Sequence, residues 1–393
     1  MRKIAYFLLC LYAFTLPSGT YFDLKYIGAA NVFLLIISLV IYTLSIRFDP
    51  KKEEWLNFSD FYTKRRFFFL VCLFFAIVAM TYFWTQSQLY TLIKLKISLL
   101  IIIATFLILE LVDTKRKLQI IMHFFLLGGY VSILGILYSF FFDKFFFQDT
   151  VRYTSYGLNP NDFGLIMAIS IPMAWYLAYS QKNQISKWIM SFFIPLAVIS
   201  IFLTGSRGSF VALLVSLTVI PWTYLKIPKQ HRLFLIITII IAAFFVIFYI
   251  PSETINRIFA IFDSVRNDDL SQRIDIWRAS IQFIPNNLTL GVGAGAFMVA
   301  IRNVMSSMHV AHNTLLSVFG EEGIFGLIIF IAILLVIIVK ISKIHQDEGK
   351  IWTVVLSTWF VGTLVLSWDF NLITWFIFSL MIATPTGEIY GHS

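Results

Sequence analysis

The chain has 393 residues, of which 59% are hydrophobic and 13% are charged, with 30 Lys and Arg against 21 Asp and Glu for a formal net charge of +9. This composition excludes an ordinary soluble domain and indicates an integral membrane protein. The two cysteines, Cys10 and Cys72, lie inside apolar runs, so the sequence indicates neither a disulfide framework nor a metal cluster.

Apolar runs recur along nearly the whole chain. A hydrocarbon core of about 30 Å needs about 20 helical residues per crossing, so these runs predict an all-α, polytopic protein with a single transmembrane domain over residues 1–393. The first run follows two basic residues, as in a signal peptide, but no small-x-small cleavage site follows and it is interpreted as a retained helix. The predicted spans are 4–17, 27–46, 67–84, 92–112, 119–142, 162–180, 186–203, 208–225, 232–250, 312–339, 351–366 and 369–384.

The distribution of basic residues predicts the orientation. With a cytoplasmic amino terminus, most of the Lys and Arg residues fall in the inner segments, which is the bias of the positive-inside rule. Both termini are therefore predicted to be cytoplasmic. The net charge follows from this bias, and binding of nucleic acid is not needed to explain it.

Two polar motifs interrupt the apolar pattern at the predicted outer face. In "YTSYGLNPNDFG", Asn159 and Asn161 flank Pro160 at the start of the sixth span; their amides suit sugar hydroxyls, and the same residues are ordinary turn chemistry. In "LTGSRGSF", Arg207 stands between spans seven and eight. An arginine near the hydrocarbon edge is costly and usually lines a water-filled or ligand-filled cavity, so Arg207 is a candidate binding residue.

The long outer segment 251–311, between spans nine and ten, contains arginine but no lysine. A guanidinium offers a planar fork of donors that suits phosphate or carboxylate. The alternative is that each arginine reaches lipid headgroups or pairs with a nearby aspartate, although the set as a whole favours an anion site. The arginines are Arg257, Arg266, Arg273, Arg278 and Arg302.

Part of this segment, "LSQRIDIWRASIQFIP", has the three- and four-residue spacing of a short amphipathic helix that lies flat on the membrane. Ser271 is predicted to cap the helix, Pro285 to stop it, and Arg273 to project along the rim of a cleft. The predicted apolar face consists of Ile274, Trp277, Ile281 and Ile284.

The glycines in "LGVGAGAF" do not form a dinucleotide-binding motif, because no strand and crossover helix surround them. Two interpretations fit Gly291, Gly293 and Gly295. They allow either a tight turn with backbone amides beside a ligand or simple close packing.

The stretch "HVAHNTLLSVFGEEG" begins the tenth span with unusual polarity. His312, beside the amide of Asn313, can accept a proton near neutral pH on the same side of the membrane as the arginines. Glu321 and Glu322 lie about 14 Å deeper along the helix, beyond reach of His312. At least one of them is expected to face the bundle interior and to hold an arginine or an unwound backbone.

In this order, the motifs resemble the O-antigen ligase and polymerase superfamily of bacterial envelope glycosyltransferases. The resemblance is carried by "TGSRGSF", by "QRIDIWRASIQFIPNNLTLGVGAGAF" and by "AHNTLLSVFGEEGIFG", with "NPNDFG" upstream. It covers the carboxy-terminal part of the chain and includes the long periplasmic loop between spans nine and ten.

The resemblance implies a GT-C type fold with about twelve spans in the bacterial inner membrane and an active site on the periplasmic side. It implies an inverting, metal-independent glycosyltransferase with no cofactor, which moves a glycan from an undecaprenyl-diphosphate carrier to a hydroxyl. Ligation of O-antigen to lipid A core is slightly favoured, and polymerisation of O-antigen or capsule repeat units is the alternative. The expected partners are the lipid-linked donor, a lipid A core or glycan acceptor, and membrane lipids.

Carried over to this sequence, the family pattern makes His312 the base that receives the acceptor's proton. It assigns the diphosphate clamp to Arg207, Arg273 and Arg278. Candidate substrate contacts are Asn159, Asn161, Asn313, Lys94 and Lys96, although the lysines fit membrane anchoring at least as well. Glu321 is expected to be a structural polar residue, and Glu322 departs from the family pattern, which has an apolar residue there.

Two other classes of protein fit the sequence less well. A polyprenol-linked glycan transporter also suits twelve spans and basic cavity residues, but it is expected to show repeated halves and interrupted helices near the midplane. The sequence shows no internal repeat, and its polar residues crowd one face. A purely structural role for the protein would give no reason for the outer arginines or for His312.

Overall fold

A computed structural model describes residues 1–18, 23–24, 28–48, 58–142, 152–223, 229–260 and 273–386. Within these ranges the regular structure is helical, apart from an antiparallel pair of two-residue strands, Asp23–Leu24 and Gly28–Ala29. The all-α prediction is therefore confirmed. The predicted cap Ser271 and the outer Arg266 lie outside the described residues.

Sixteen α-helices occur in these described ranges, and they are numbered here in chain order. They are α1 Arg2–Thr15, α2 Ala30–Phe48, α3 Phe58–Met80, α4 Gln88–Leu111, α5 Lys115–Phe142, α6 Pro160–Ser180, α7 Gln184–Leu203, α8 Arg207–Leu217, α9 Val219–Thr223, α10 Lys229–Tyr249, α11 Ser252–Phe259, α12 Arg273–Phe283, α13 Phe297–Met305, α14 Thr314–Ser342, α15 Gln346–Thr363 and α16 Leu372–Ala383.

Eight helices in the described part of the chain are long and apolar enough to cross a membrane. Two further apolar helices, Arg207–Pro221 and Leu372–Ala383, are shorter. The first of these covers α8 and the start of α9, which only Thr218 separates, and most of the predicted eighth span. The count of about twelve spans therefore remains a prediction. The eight are Ala30–Arg47, Asp60–Phe83, Gln88–Leu111, Lys115–Phe142, Pro160–Ser180, Gln184–Leu203, Arg232–Tyr249 and Thr314–Ser342.

The chain divides into two compact units. Unit 1 comprises Met1–Ile41, Lys115–Phe262 and His345–Gly362. Unit 2 comprises Tyr42–Thr114, Asp263–Ile344 and Thr363–Ser393.

In unit 1, α6 is apolar on all sides and is almost wholly buried against α5, α7 and α8. Pro160 occupies its first position, where a missing N–H costs little, and the Asn159 side chain caps it by accepting from the Asn161 N–H at 2.9 Å. Gly164 lets α8 come close, because a side chain there would collide with Ser209. The start of α8 therefore lies beside the start of α6.

In unit 2, α3, α4, α14 and α16 pack around buried aromatic rings. The Trp375 ring of α16 lies 5.9 Å from Phe74 and 5.0 Å from Phe75 of α3, measured between ring centroids. The Phe330 ring of α14 lies 6.2 Å from the same tryptophan. These contacts hold α14 in place and so position the polar residues at its beginning.

A smaller core in unit 2 joins α12 to α13, with Phe283 and Phe297 in edge contact at 5.3 Å. The predicted amphipathic helix is present and ends before Pro285. Of the predicted apolar face, Ile284 is buried in this core and Trp277 packs against it, but Ile281 is misplaced. Ile281 is 69% exposed, because the buried face runs through small residues that let α13 approach. The buried residues of α12 are Ile276, Ala279, Ser280 and Phe283.

Candidate active site

Unit 1 places Arg207 at the first turn of α8. Ser206 precedes it as the N-cap, and its hydroxyl accepts a hydrogen bond from the Ser209 N–H at 3.3 Å. Gly205 makes the turn before the cap with a φ of 57°. The half-buried guanidinium thus stands at a helix amino terminus, where the backbone dipole adds to its positive field. Such a position suits an anion.

Asn161 ties the same turn to a second arginine. Its Oδ1 accepts hydrogen bonds from Nη2 of Arg152 and from the Ser206 hydroxyl, each at 2.8 Å. Arg152 also donates from Nε to the Thr204 carbonyl at 2.9 Å. With Asn159 capping α6, both asparagines of the motif have roles within the turn itself.

Arg257, on α11, is the third arginine of this neighbourhood. Its Cδ lies 3.4 Å, and Cγ of Arg152 lies 3.5 Å, from the point where a Cβ on Gly205 would stand. Burial, followed by repulsion from Arg207, lowers the pKa of the Arg257 guanidinium below its ordinary value. Three arginine side chains therefore surround one turn of unit 1, a group called the Gly205 arginine cluster below.

In unit 2, the backbone of His312 has an unusual conformation just before α14. Its φ of 48° lies in the left-handed region, which few residues other than glycine adopt. Both neighbours are fixed. Trp277 of α12 donates from Nε1 to the Ala311 carbonyl at 3.0 Å, and Asn313 caps α14 by accepting from the Leu316 N–H at 2.9 Å. A left-handed backbone at a residue other than glycine costs about 1–3 kcal/mol and persists only where the neighbouring contacts fix it. Such strained residues cluster at functional sites.

The surroundings of His312 also keep its imidazole neutral. Burial, followed by electrostatic repulsion from Arg273 and His309, lowers the pKa of His312 to about 4. At neutral pH one ring nitrogen is therefore able to accept a proton. Arg273 begins α12 and is half-buried, so the structure groups these two predicted site residues within unit 2.

Arg278 lies on a different side of α12 from Arg273. Five residues of helix rotate the side-chain direction by about 140°. Arg278 is exposed, whereas Arg273 is half-buried. Arg273 is thus the α12 arginine that belongs with His312.

Glu321 holds the glycine-rich loop that precedes α13. Its Oε2 accepts a hydrogen bond from the Gly295 N–H at 2.6 Å. The Gly320 and Glu321 carbonyls accept from the Val292 and Gly293 N–H groups at 2.9 and 3.0 Å. These loop amides bond to protein groups, so close packing accounts for the glycines and a ligand does not.

α14 is interrupted where it meets this loop. Gly323 has a φ of 68° and a ψ of −165°, a conformation that is almost confined to glycine. After the interruption, the Ile324 N–H donates to the Leu288 carbonyl at 2.9 Å. The loop therefore supplies hydrogen bonds that an unbroken helix would make within itself, which explains the polar "GEEG" within an apolar helix.

A buried charge cluster lies in unit 2 and includes Glu321. Nζ of Lys94 is 3.8 Å from Oδ2 of Asp369 and 4.1 Å from the centroid of the Phe370 ring. Glu321 and Glu322 act on the same ammonium group electrostatically. Neither carboxylate oxygen of Glu322 has a hydrogen-bond partner in the part of the chain that the structure describes. Three acidic side chains thus share one lysine, which gives Lys94 a partner inside the protein.

The other predicted contact residues have separate environments. Lys96 is exposed and lies on a different side of α4 from Lys94. Asn313, besides capping α14, donates from Nδ2 to the Leu364 carbonyl at 3.2 Å. Within the described ranges, no group of three or more His, Cys, Asp or Glu side chains could hold a metal ion.

Sequence reasoning missed two residues of these neighbourhoods. Arg152 stands alone in the sequence, and only the packing of α6 with α8 brings it to the Gly205 turn. Asp369, in "SWDF" at the start of the last predicted span, could have been identified from the sequence. An acid at the edge of an apolar span is costly, so a basic partner within the bundle was to be expected.

Comparison with known families adds an independent finding. Residues 190–331 match a family model described as O-antigen ligase. This match confirms the superfamily that the motifs indicated, and it points to a membrane glycosyltransferase of the ligase and polymerase type. The matched segment includes Arg207, Arg273, Arg278, His312 and Glu321. No curated protein matches the chain.

Proposed function

We propose that this chain, which carries an O-antigen ligase domain over residues 190–331, transfers a glycan from an undecaprenyl-diphosphate carrier to a hydroxyl on the periplasmic face of the bacterial inner membrane. One observation carries the proposal. The matched segment supplies guanidinium groups suited to a diphosphate and a neutral imidazole suited to a hydroxyl proton. The proposed reaction uses neither a metal ion nor a cofactor.

Arg207 is the proposed clamp on the diphosphate of the donor. As the glycosidic C–O bond breaks, negative charge develops on the departing diphosphate oxygen. A guanidinium that is already in position stabilises this charge without reorganising during the reaction. Arg273 is a further diphosphate-binding residue in this proposal. Arg278, exposed on another side of α12, is the weaker candidate.

His312 is the proposed general base. The acceptor O–H gives its proton to the imidazole, the oxygen attacks the anomeric carbon, and the bond to the diphosphate breaks, so the proton ends on the imidazolium. Attack opposite the leaving group inverts the anomeric centre. A pKa of about 4 describes a weak base, but Arg273 contributes to that low value. An anionic donor that neutralises Arg273 would raise the pKa of His312 and strengthen the base when the substrate is bound.

The acceptor separates two versions of this function. Lipid A core as the acceptor makes the protein a ligase, which is the version slightly favoured. The end of a second lipid-linked repeat unit makes it a polymerase. Both versions use the same donor and the same residues, so a single assay with two acceptors distinguishes them.

One structural feature favours a transporter as a second candidate. The interruption of α14 at Gly323 resembles the broken helices that bind coupling ions in secondary transporters. Here, however, the Gly320 and Glu321 carbonyls at the interruption already accept hydrogen bonds from the 288–295 loop. The interruption is thus occupied by the chain itself, which favours the transferase.

The clamp is tested with the purified full chain, a fluorescent undecaprenyl-diphosphate glycan and the two acceptors. The wild-type protein is expected to form a glycosylated acceptor and to release the carrier diphosphate. Arg207→Lys keeps the charge but loses the planar fork, so turnover should fall by about 10–100-fold, the range expected for a lost charge-assisted hydrogen bond.

The matched control is Arg302→Lys, because Arg302 is exposed on α13 and has no role in the proposed reaction. It should retain wild-type turnover. Equal turnover of Arg207→Lys and the wild-type protein would contradict the clamp. Donor movement across vesicles without any transfer would favour the transporter.

A further inference from the structure

The Gly205 arginine cluster has more positive charge than a single phosphate requires. Arg152 and Arg257 both approach the turn that leads into α8, and Arg207 begins that helix. All three side chains are half-buried. All three belong to unit 1, so their arrangement depends on contacts within that unit alone.

The way α11 is held explains how Arg257 comes to the turn. Thr254 and Ile258 are buried where α11 packs against α7 and α8. Thr254 Cγ2 lies 3.3 Å from the Cβ position of Gly205, and Arg257 reaches the same point from one turn further along α11. The packing of α11 therefore determines where the Arg257 side chain approaches the turn.

Arg257 makes no ion pair with the residues that the structure describes, and it stands close enough to Arg207 for repulsion to affect its protonation. Like charges in a half-buried setting destabilise the protein that holds them, unless an anion binds between them. Arg152 differs, because its Nε and Nη2 are committed to the Thr204 carbonyl and to Asn161.

We infer that Arg257 binds the second phosphate group of the donor and thereby lets the protein distinguish a diphosphate lipid from a monophosphate lipid. This inference rests on the proposed function, because it identifies the ligand of the cluster with the carrier. Arg207 engages one phosphate, Arg257 engages the other, and Arg152 fixes the turn between them. A monophosphate offers one anionic group and engages only one of the two guanidinium groups.

The test measures binding of two lipids, undecaprenyl diphosphate and undecaprenyl monophosphate, to the purified full chain in detergent. The wild-type protein is expected to prefer the diphosphate by about tenfold or more, the value of one charge-assisted hydrogen bond. Arg257→Gln should lose most of this preference by weakening diphosphate binding, with little change for the monophosphate. Inorganic pyrophosphate should compete with the diphosphate lipid for the wild-type protein, which excludes recognition through the isoprenoid chain.

A second readout separates binding from folding. Removal of Arg257 relieves its repulsion with Arg207, so the Arg257→Gln variant without ligand should melt at the wild-type temperature or above it. A structural role predicts a lower melting temperature instead. Arg302→Gln is the control for the loss of one positive charge and should keep the wild-type lipid preference.

Two outcomes distinguish the inference from the function on which it rests. If the wild-type protein prefers the diphosphate and Arg257→Gln keeps that preference, the role of Arg257 is wrong and the proposed function stands. If the wild-type protein binds neither lipid, or binds both equally, the proposed donor is wrong and the inference falls with it.

Discussion

The neutral imidazole of His312 depends first on burial and then on electrostatic repulsion from Arg273 and His309. Since its pKa is about 4 instead of 6.5, the base form predominates across neutral pH, and kcat/KM should be nearly flat from about pH 5 to 8. Activity that requires the neutral ring is lost only as the pH falls through this low pKa.

Replacement of Arg273 should raise the pH at which activity is lost on the acid side. In Arg273→Gln, the loss of a positive neighbour raises the pKa of His312 toward 6.5, so the acid limb of the log kcat/KM profile shifts to higher pH. The position of the limb is informative even if the overall rate falls. Arg278→Gln, on another side of α12, should leave the limb in place. An identical limb in Arg273→Gln and the wild-type protein would contradict the electrostatic account of His312.

In the charge cluster around Lys94, we expect two substitutions to have opposite effects on stability. Lys94→Met removes the positive partner of three acidic side chains and should destabilise the protein by several kcal/mol, as for a broken buried ion pair. Glu322→Gln replaces a buried carboxyl group whose oxygens have no hydrogen-bond partner among the described residues, so it should be neutral or stabilising. Melting temperatures in detergent measure both effects, and equal losses in the two variants would refute this account.

At the scale of elements, the interruption of α14 is a joint between a long helix and the 288–295 loop. Gly323→Ala should destabilise the protein by about 1–3 kcal/mol, because the backbone conformation is unfavourable for alanine. A Cβ there would also meet the Thr289 carbonyl. Ile328→Ala, at an exposed position of the same helix, is the control for a small change in α14. A Gly323→Ala variant that melts no lower than this control would contradict the proposed need for glycine at position 323.

The sequence predicts the helices better than the way they are joined. Long apolar runs identify α3 to α7 and α14, because bilayer thickness imposes one length on every crossing. The interruption at Gly323 is invisible in that pattern, since a glycine in an apolar helix usually indicates close packing. Its hydrogen-bond partners lie some thirty residues earlier in the chain, and only folding brings them together. The prediction for α12 was wrong at Ile281 for a related reason, because the small residues Ala279 and Ser280 are buried in its place although neither is strongly apolar.

At the scale of the whole molecule, the predicted orientation has a direct check. In a variant without Cys10 and Cys72, Asn286→Cys should react with an impermeant maleimide added to the periplasmic side, because Asn286 is exposed in the predicted outer segment. Lys182→Cys, exposed between α6 and α7, should react only after the membrane is permeabilised. The reverse pattern would overturn the orientation and the periplasmic location of the chemistry.

The sequence supplied the types of residue needed for the reaction but not their surroundings. Arg207 and His312 were identifiable because polar residues at membrane boundaries are costly and rarely accidental. The left-handed backbone of His312 and its low pKa depend on contacts with Trp277 and Arg273 that spacing does not reveal. Arg152 and the position of Arg257 likewise emerge only from helix packing.

The most direct test of the central claim is the rate of glycan transfer by His312→Ala under saturating donor and acceptor. His309→Ala is the matched control, because His309 is a second half-buried histidine nearby that is not proposed to receive the acceptor's proton. Loss of the general base should lower kcat by about 10²–10⁴-fold in His312→Ala, with donor binding retained, whereas His309→Ala should stay close to the wild-type rate. Wild-type turnover by His312→Ala would contradict the proposed mechanism.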